Sequence, residues 1–137
     1  MDKVFLDTSY AIALSVPKDQ NHEKAVHIAD FLEIDAAKLI TTRAIVLEIG
    51  NALSAQKYRQ AAVELLESLE EDPDVEIVSI TEELYQRGFQ LFKDRPDKEW
   101  GVIDCISFVV MEDQGISKAL TSDKHFQQHG FKALLCD

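Results

Sequence analysis

Hydrophobic positions along this chain follow two rhythms. Short apolar runs bounded by polar residues alternate with longer stretches in which apolar residues recur every three or four positions. The first pattern predicts buried strands and the second predicts one-faced helices. Val4-Phe5-Leu6 opens the chain as a strand and ends at Asp7, followed by Thr8 and Ser9. Tyr10 to Val16 is apolar and stops at Pro17, which predicts a short helix. Lys18 to Asn21 is a polar loop. From His22 onward, Ala25, Ile28, Ala29 and Leu32 mark one helical face. Leu39-Ile40-Thr41-Thr42 reads as a second strand, with Thr42 placed to cap the next helix. That helix carries Ile45, Val46, Ile49, Ala52 and Leu53 inward, with Glu48 beside the stripe. Ala62, Leu65, Leu66 and Leu69 define a further amphipathic helix.

Pro73 breaks the chain, and Val75 to Ile80 alternates as a strand. Thr81 with Glu82 and Glu83 suits a helix start, where acids meet the positive end of the dipole. Tyr85, Gly88, Phe89 and Phe92 are the expected inner face of that helix. Lys93 to Glu99 is a charged loop. Val102 to Met111 is apolar nearly all round, which predicts a central, buried helix ended by Gly115. Ala119-Leu120-Thr121-Ser122-Asp123 then repeats the opening grammar of apolar run, hydroxyls and carboxylate. A short helix, Lys124 to Gln128, and a last strand, Phe131 to Leu135, follow. Strands alternating with helices argue for a parallel sheet covered on both faces. The fold class is α/β: an α/β/α sandwich with a sheet of about four to five strands, as one domain over residues 1–137.

Composition narrows the class further. The 137 residues are 46% hydrophobic and 28% charged, enough to bury a core without disulfides or structural metals. No apolar run approaches the length of a membrane span, and no signal peptide is visible, so the expected location is cytoplasmic. Cys105 and Cys136 lack any metal-ligand or redox spacing and read as reduced thiols. The formal net charge is −11, the wrong sign for holding nucleic acid by bulk field. A group of acids that binds divalent cations contributes to such a charge and is reversed locally by its ions.

Four acids stand out. Asp7 and Asp123 end two apolar strands and, if those strands are parallel neighbours, emerge at one edge of the sheet. Ligands of open α/β sheets bind outside the carboxyl ends of the strands. Glu48 and Asp104 lie in apolar surroundings on helices, and no lysine or arginine occurs between Trp100 and Ser117 to pair with Asp104. Acids are almost never buried without a partner. Taken singly, Asp7 and Asp123 also fit turn or cap residues, and Glu48 fits a solvated helix face. Taken together, inward acids without local cations suit a hard divalent ion, Mg²⁺ or Mn²⁺.

The motifs FLDTS, TTRAIVLEIGNAL, KEWGVIDCIS and ALTSDKHF carry these four acids in order. The ordered set resembles the PIN-domain ribonucleases, and within them the VapC-type toxins of toxin–antitoxin pairs. The resemblance covers nearly the whole chain. It implies that Asp7, Glu48, Asp104 and Asp123 form an acidic catalytic pocket for Mg²⁺ or Mn²⁺, with Asp7, Asp104 and Asp123 on the metal. Glu48 is expected to position or deprotonate the attacking water. Thr8, Ser9 and Thr121 are expected to orient the acids. The implied reaction is hydrolysis of an RNA phosphodiester that leaves a 5′ phosphate on the downstream fragment. The implied partners are an RNA substrate, an antitoxin protein and a second copy of the chain, with no membrane.

Further residues are candidates for holding substrate. Arg43 opens the Glu48 helix and is a candidate phosphate contact. Lys98, with Lys93 and Arg95, lies beside Trp100, whose ring is a candidate platform for a base. The alternative for each is a surface cation and a packed tryptophan. His125 and His129, four apart, are conceivable as a zinc pair. Two other functions compete. One is a non-catalytic PIN-like interaction module, against which the complete acid set counts. The other is a phosphate-handling phosphatase or receiver domain. The phosphatase needs an acid where Ser9 stands, and the receiver needs an acidic pair that Asp7 alone does not supply.

Overall fold

A computed structural model describes residues 2–136. The elements run β1 (Lys3–Leu6), α1 (Thr8–Ser15), α2 (His22–Ile34), β2 (Lys38–Thr42), α3 (Arg43–Ala52) and α4 (Gln56–Glu71). They continue with β3 (Val75–Val78), α5 (Glu82–Asp94), α6 (Val102–Asp113), β4 (Lys118–Leu120), α7 (Lys124–Gln128) and β5 (Lys132–Ala133). The five strands form one parallel sheet in the order β3-β2-β1-β4-β5. This is the expected α/β/α architecture, and β1 lies at its centre.

The strand order places the two helical layers. Strands β1, β2 and β3 step outward in one direction, while β4 and β5 lie on the other side of β1. Right-handed crossovers therefore put α1 to α4 on one face and α5 to α7 on the other. Packing agrees: α1 contacts α2, α3 and α4, while α6 contacts α5 and α7. The order of strand addition reverses between β1 and β4, and at such a switch point the loops above the strands part and leave a crevice.

Local chemistry fixes most boundaries. Thr42 and Thr81 cap α3 and α5, their hydroxyls accepting from Ile45 N at 3.2 Å and Leu84 N at 3.1 Å. Each such cap contributes about 1 kcal/mol. Gly115 takes φ +66° after α6, a left-handed conformation that favours glycine. Helix α6 is buried continuously from Cys105 to Met111, as its sequence predicts.

Several expectations are corrected. Helix α1 begins at Thr8, two residues earlier than Tyr10, because the turn starts directly from Asp7. Strand β3 stops at Val78 rather than Ile80, and β5 is only two residues long. Ala52 is exposed. The inner face of α5 is Leu84 and Gly88, whereas Tyr85 and Phe92 are exposed. The reason is close packing. A Cβ on Gly88 would lie 2.5 Å from Ile106 Cγ1, so α5 turns its only glycine, and not its aromatics, against α6. Tyr85, Phe89 and Phe92 instead stack on one another along the outer surface.

Candidate active site

The carboxyl edge of β1 and β4 gathers the acids. Leu6 and Leu120 are register partners, so the residues after them leave the sheet side by side. Asp7 N donates to Leu120 O at 3.2 Å and continues the ladder one step further. Three of the four acids then sit at helix N-termini: Asp7 before α1, Asp104 in the first turn of α6, and Asp123 before α7. The positive ends of those helices offset part of the mutual repulsion of the carboxylates.

Asp7 is buried, and its Oδ2 accepts from Thr121 Oγ1 at 2.7 Å and from Ser9 Oγ at 3.1 Å. Burial pushes its pKa up to about 6; hydrogen bonds from Thr121, Thr8 and Ser9 pull it down, and the charge of Asp104 adds to the rise. Thr121 Oγ1 also accepts from Asp123 N at 3.0 Å, so one hydroxyl ties the two strand-end acids together. Ser9 Oγ accepts from Ser122 N at 3.0 Å and braces the same junction. Thr8 behaves differently from its neighbour. Its hydroxyl donates to Glu48 Oε1 at 2.6 Å, so the start of α1 fixes the fourth acid, which is carried by α3.

Asp104 occupies a half-buried position in the first turn of α6, not the middle of the apolar helix. Its Oδ2 accepts from Gly101 N at 3.1 Å and faces His125 Nδ1 at 2.9 Å. Asp123 is both a site acid and the cap of α7, its Oδ1 accepting from His125 N at 2.8 Å. His125 Nδ1 lies 3.4 Å from the same oxygen. Burial works against the charged imidazole, but the hydrogen bond to Asp104 and the charges of Asp123, Asp104 and Glu99 outweigh it and raise the pKa.

Asp104, Asp123 and His125 present ligand atoms within 4.8 Å of one another. Asp104 Oδ1 and Asp123 Oδ2 accept no hydrogen bond among the described residues. Two neighbouring carboxylates that each keep one oxygen free are donors of the kind that fits a hard divalent cation; Asp7 lies outside this cluster and is felt there through its charge interaction with Asp104.

His125 escaped the sequence reading as a partner of Asp104. The two are 21 residues apart, and only the docking of α7 against α6 brings them together. The available signal was the position of His125 two residues after Asp123, inside the first turn of the helix that Asp123 caps. His125 and His129 are no zinc pair: His129 bonds Glu112 and stacks on Phe108.

The substrate candidates are placed as follows. Trp100 is 3% exposed, its ring packs edge-on against Phe108 and lies under Arg95, and Nε1 donates to Gln128 at 3.0 Å. It is a buried brace between α6 and α7, not an open platform for a base. Arg43 is exposed and paired with Glu70. Arg95 is bonded to Asp97 through two nitrogens, at 3.0 Å each, which neutralises part of the basic loop. Lys98 is half-buried in that loop.

The PIN domain family model matches residues 4–132. No curated protein matches the sequence. Among solved structures, the chain is similar to Mycobacterium tuberculosis VapC20, a sarcin–ricin loop cleaving toxin. The TM-score is 0.81 at 24% identity, over 93% of this chain and 95% of that one. It is also similar to Rickettsia felis VapBC2 bound to a DNA fragment from their promoter. There the TM-score is 0.69 at 10% identity, over 96% of each chain. At these identities the likeness establishes the fold, while the family match spans most of the sequence and includes all four acids. The chain therefore belongs to the PIN-domain family.

Proposed function

We propose that this protein is a divalent-metal-dependent endoribonuclease and the toxin of a toxin–antitoxin pair. The observation that carries the reading is the meeting of Asp104 and Asp123 at the switch point, with buried Asp7 tied to Asp123 through Thr121. Family membership and the likeness to a toxin named for cleaving the sarcin–ricin loop support RNA as the substrate class.

Asp104 and Asp123 would hold Mg²⁺ or Mn²⁺ through their free oxygens, with Asp7 as the third carboxylate. A divalent ion supplies an ionised water near neutral pH and offsets charge on the phosphate. Glu48 is held by Thr8 through Oε1, and its Oε2 accepts no hydrogen bond among the described residues. That oxygen would orient the attacking water and take its proton. The raised pKa of Asp7 reflects a buried charge with hydroxyl partners and no cation, the condition a bound ion relieves. Burial of Asp7 with Oδ2 already occupied counts against its use as a phosphoryl acceptor, the rival phosphatase or receiver chemistry.

The antitoxin and a second copy of the chain are the proposed protein partners. Phe31, Ile34 and Leu47 are 58%, 81% and 63% exposed, apolar side chains available for such contacts. Both cysteines are free thiols, in keeping with a cytoplasmic location. The test is chelation and restoration. Protein stripped with EDTA should leave RNA intact, and Mg²⁺ or Mn²⁺ should restore cleavage with 5′ phosphates on the downstream fragments. Cleavage by stripped protein at the restored rate would refute the proposal.

A further inference from the structure

We infer that His125 is a positioning residue that sets the separation and orientation of the two carboxylates, Asp104 and Asp123, that would hold the metal. The inference rests on the metal reading above and adds to it a residue outside the four acids.

His125 makes two kinds of contact with that pair. Its backbone N–H donates to Asp123 Oδ1 at 2.8 Å. Its ring Nδ1 lies 2.9 Å from Asp104 Oδ2 and 3.4 Å from Asp123 Oδ1. Ionised carboxylates only accept hydrogen bonds, so the ring nitrogen that faces both must carry the proton. A nitrogen that carries a proton toward two carboxylates cannot also bind a metal. Nδ1 is therefore a donor and not a ligand atom, and through it His125 acts on the acids; the His125→Asn variant separates this positioning from coordination by the other ring nitrogen, Nε2.

The consequence for Asp104 is specific. Oδ2 receives two N–H donors, one from Gly101 at 3.1 Å and one from His125. With both lone pairs of Oδ2 engaged, Oδ1 is left as the coordinating oxygen. Asp123 is treated in the same way, since Oδ1 takes the backbone N–H and Oδ2 remains free. One residue thus orients one carboxylate on α6 and one before α7. Helix α7, which carries the ring, is anchored beyond it: Phe126, next in sequence, is fully buried, and Trp100 Nε1 donates to Gln128 on the same helix. Without the ring, α6 and α7 would still be joined by Trp100, and Asp123 would keep its backbone N–H, but Asp104 would lose the donor that links it to the turn Asp123 caps.

The test reads metal binding directly, by electron paramagnetic resonance of free Mn²⁺ during titration of the purified chain. His125→Ala should weaken Mn²⁺ binding by about tenfold or more, the range for residues that orient metal ligands. His125→Asn places an amide N–H where Nδ1–H stands and should recover affinity to within about threefold of wild type. Far-ultraviolet circular dichroism and thermal midpoints of both variants show whether they are folded. Wild-type affinity in a folded His125→Ala would overturn the inference. Equal weakening in folded Ala and Asn variants would overturn it as well, because it would make the ring itself the ligand. A wild-type chain that takes up no Mn²⁺ would remove the metal reading and this inference with it.

Discussion

Thr121 Oγ1 donates to Asp7 Oδ2 at 2.7 Å, joining residues 114 positions apart at the edge shared by β1 and β4. The same oxygen accepts from Asp123 N. Thr121→Val keeps the side-chain shape and removes both bonds. A hydrogen bond to a charged group contributes about 1.5–3 kcal/mol, so the ionised form of Asp7 should become harder to maintain. Mn²⁺ affinity, followed by calorimetric titration, should fall by about tenfold. Thr121→Ser retains the hydroxyl and should bind like wild type. Equal affinities for Val and Ser would show that this bond does not organise the site.

Burial of Asp7 gives the metal-free protein a pH dependence of definite sign. Its pKa rises from 3.8 to about 6 on folding, so the folded chain holds this proton more tightly than the unfolded one. Stability from this group is fully present below about pH 4 and is lost as pH rises through about 6, by up to ~3 kcal/mol. Asp7→Asn keeps an acceptor for Thr121 and carries no charge. In EDTA at pH 7.5 it should unfold at higher denaturant than wild type, and the gap should close toward pH 4. A constant gap across that range would contradict the assignment.

Gly88 is a packing residue with no functional group, and its replacement should be felt as stability alone. A Cβ there would stand 2.5 Å from Ile106 Cγ1 and 3.2 Å from the Ile106 backbone. Gly88→Ala should destabilise by about 1–3 kcal/mol, the usual cost of overfilling a packed contact. Urea unfolding measures it. An unchanged midpoint would mean that α5 and α6 separate without cost.

Much of this arrangement was legible in the sequence, for reasons that can be named. Leu6-Asp7-Thr8-Ser9 and Leu120-Thr121-Ser122-Asp123 share a grammar because each ends a parallel strand beside the other, and strand periodicity is a local signal. The caps at Thr42 and Thr81 were legible because they depend on one hydroxyl and three residues of backbone. What could not be read depends on how helices dock. The outward turn of Tyr85 and Phe92 follows from the fit of Gly88 against Ile106, a contact between two helices. The link from His125 to Asp104 depends on where α7 lies against α6. Asp104 has no cation near it in sequence, because its partner, His125, comes from another helix. The two hydroxyls after Asp7 are adjacent in sequence, but their helix turns Ser9 toward Asp7 and Thr8 toward Glu48.

Trp100 separates a packing role from a substrate role. Its ring is 3% exposed and its N–H is bonded to Gln128. Trp100→Phe keeps most of the packing and loses that bond. It should lower stability by about 1–3 kcal/mol through the unpaired Gln128 and the smaller ring. RNA affinity of the folded variant, measured by fluorescence anisotropy in Ca²⁺, should match wild type. A large loss of affinity at full folding would restore Trp100 as a base-stacking residue.

The central claim is that the acids at the β1–β4 edge perform RNA cleavage through a bound divalent ion. Asp104→Asn tests it most directly, because it removes one charge and leaves one amide oxygen to accept from Gly101 and His125 in place of Oδ2. Cleavage of a defined RNA by wild type and variant should be timed in Mn²⁺ at equal concentrations of folded protein. The variant should be folded, as shown by circular dichroism, and its cleavage rate should fall by about a hundredfold or more, the scale of losing one electrostatic contact to the reacting group. A folded Asp104→Asn that cleaves at the wild-type rate would contradict it.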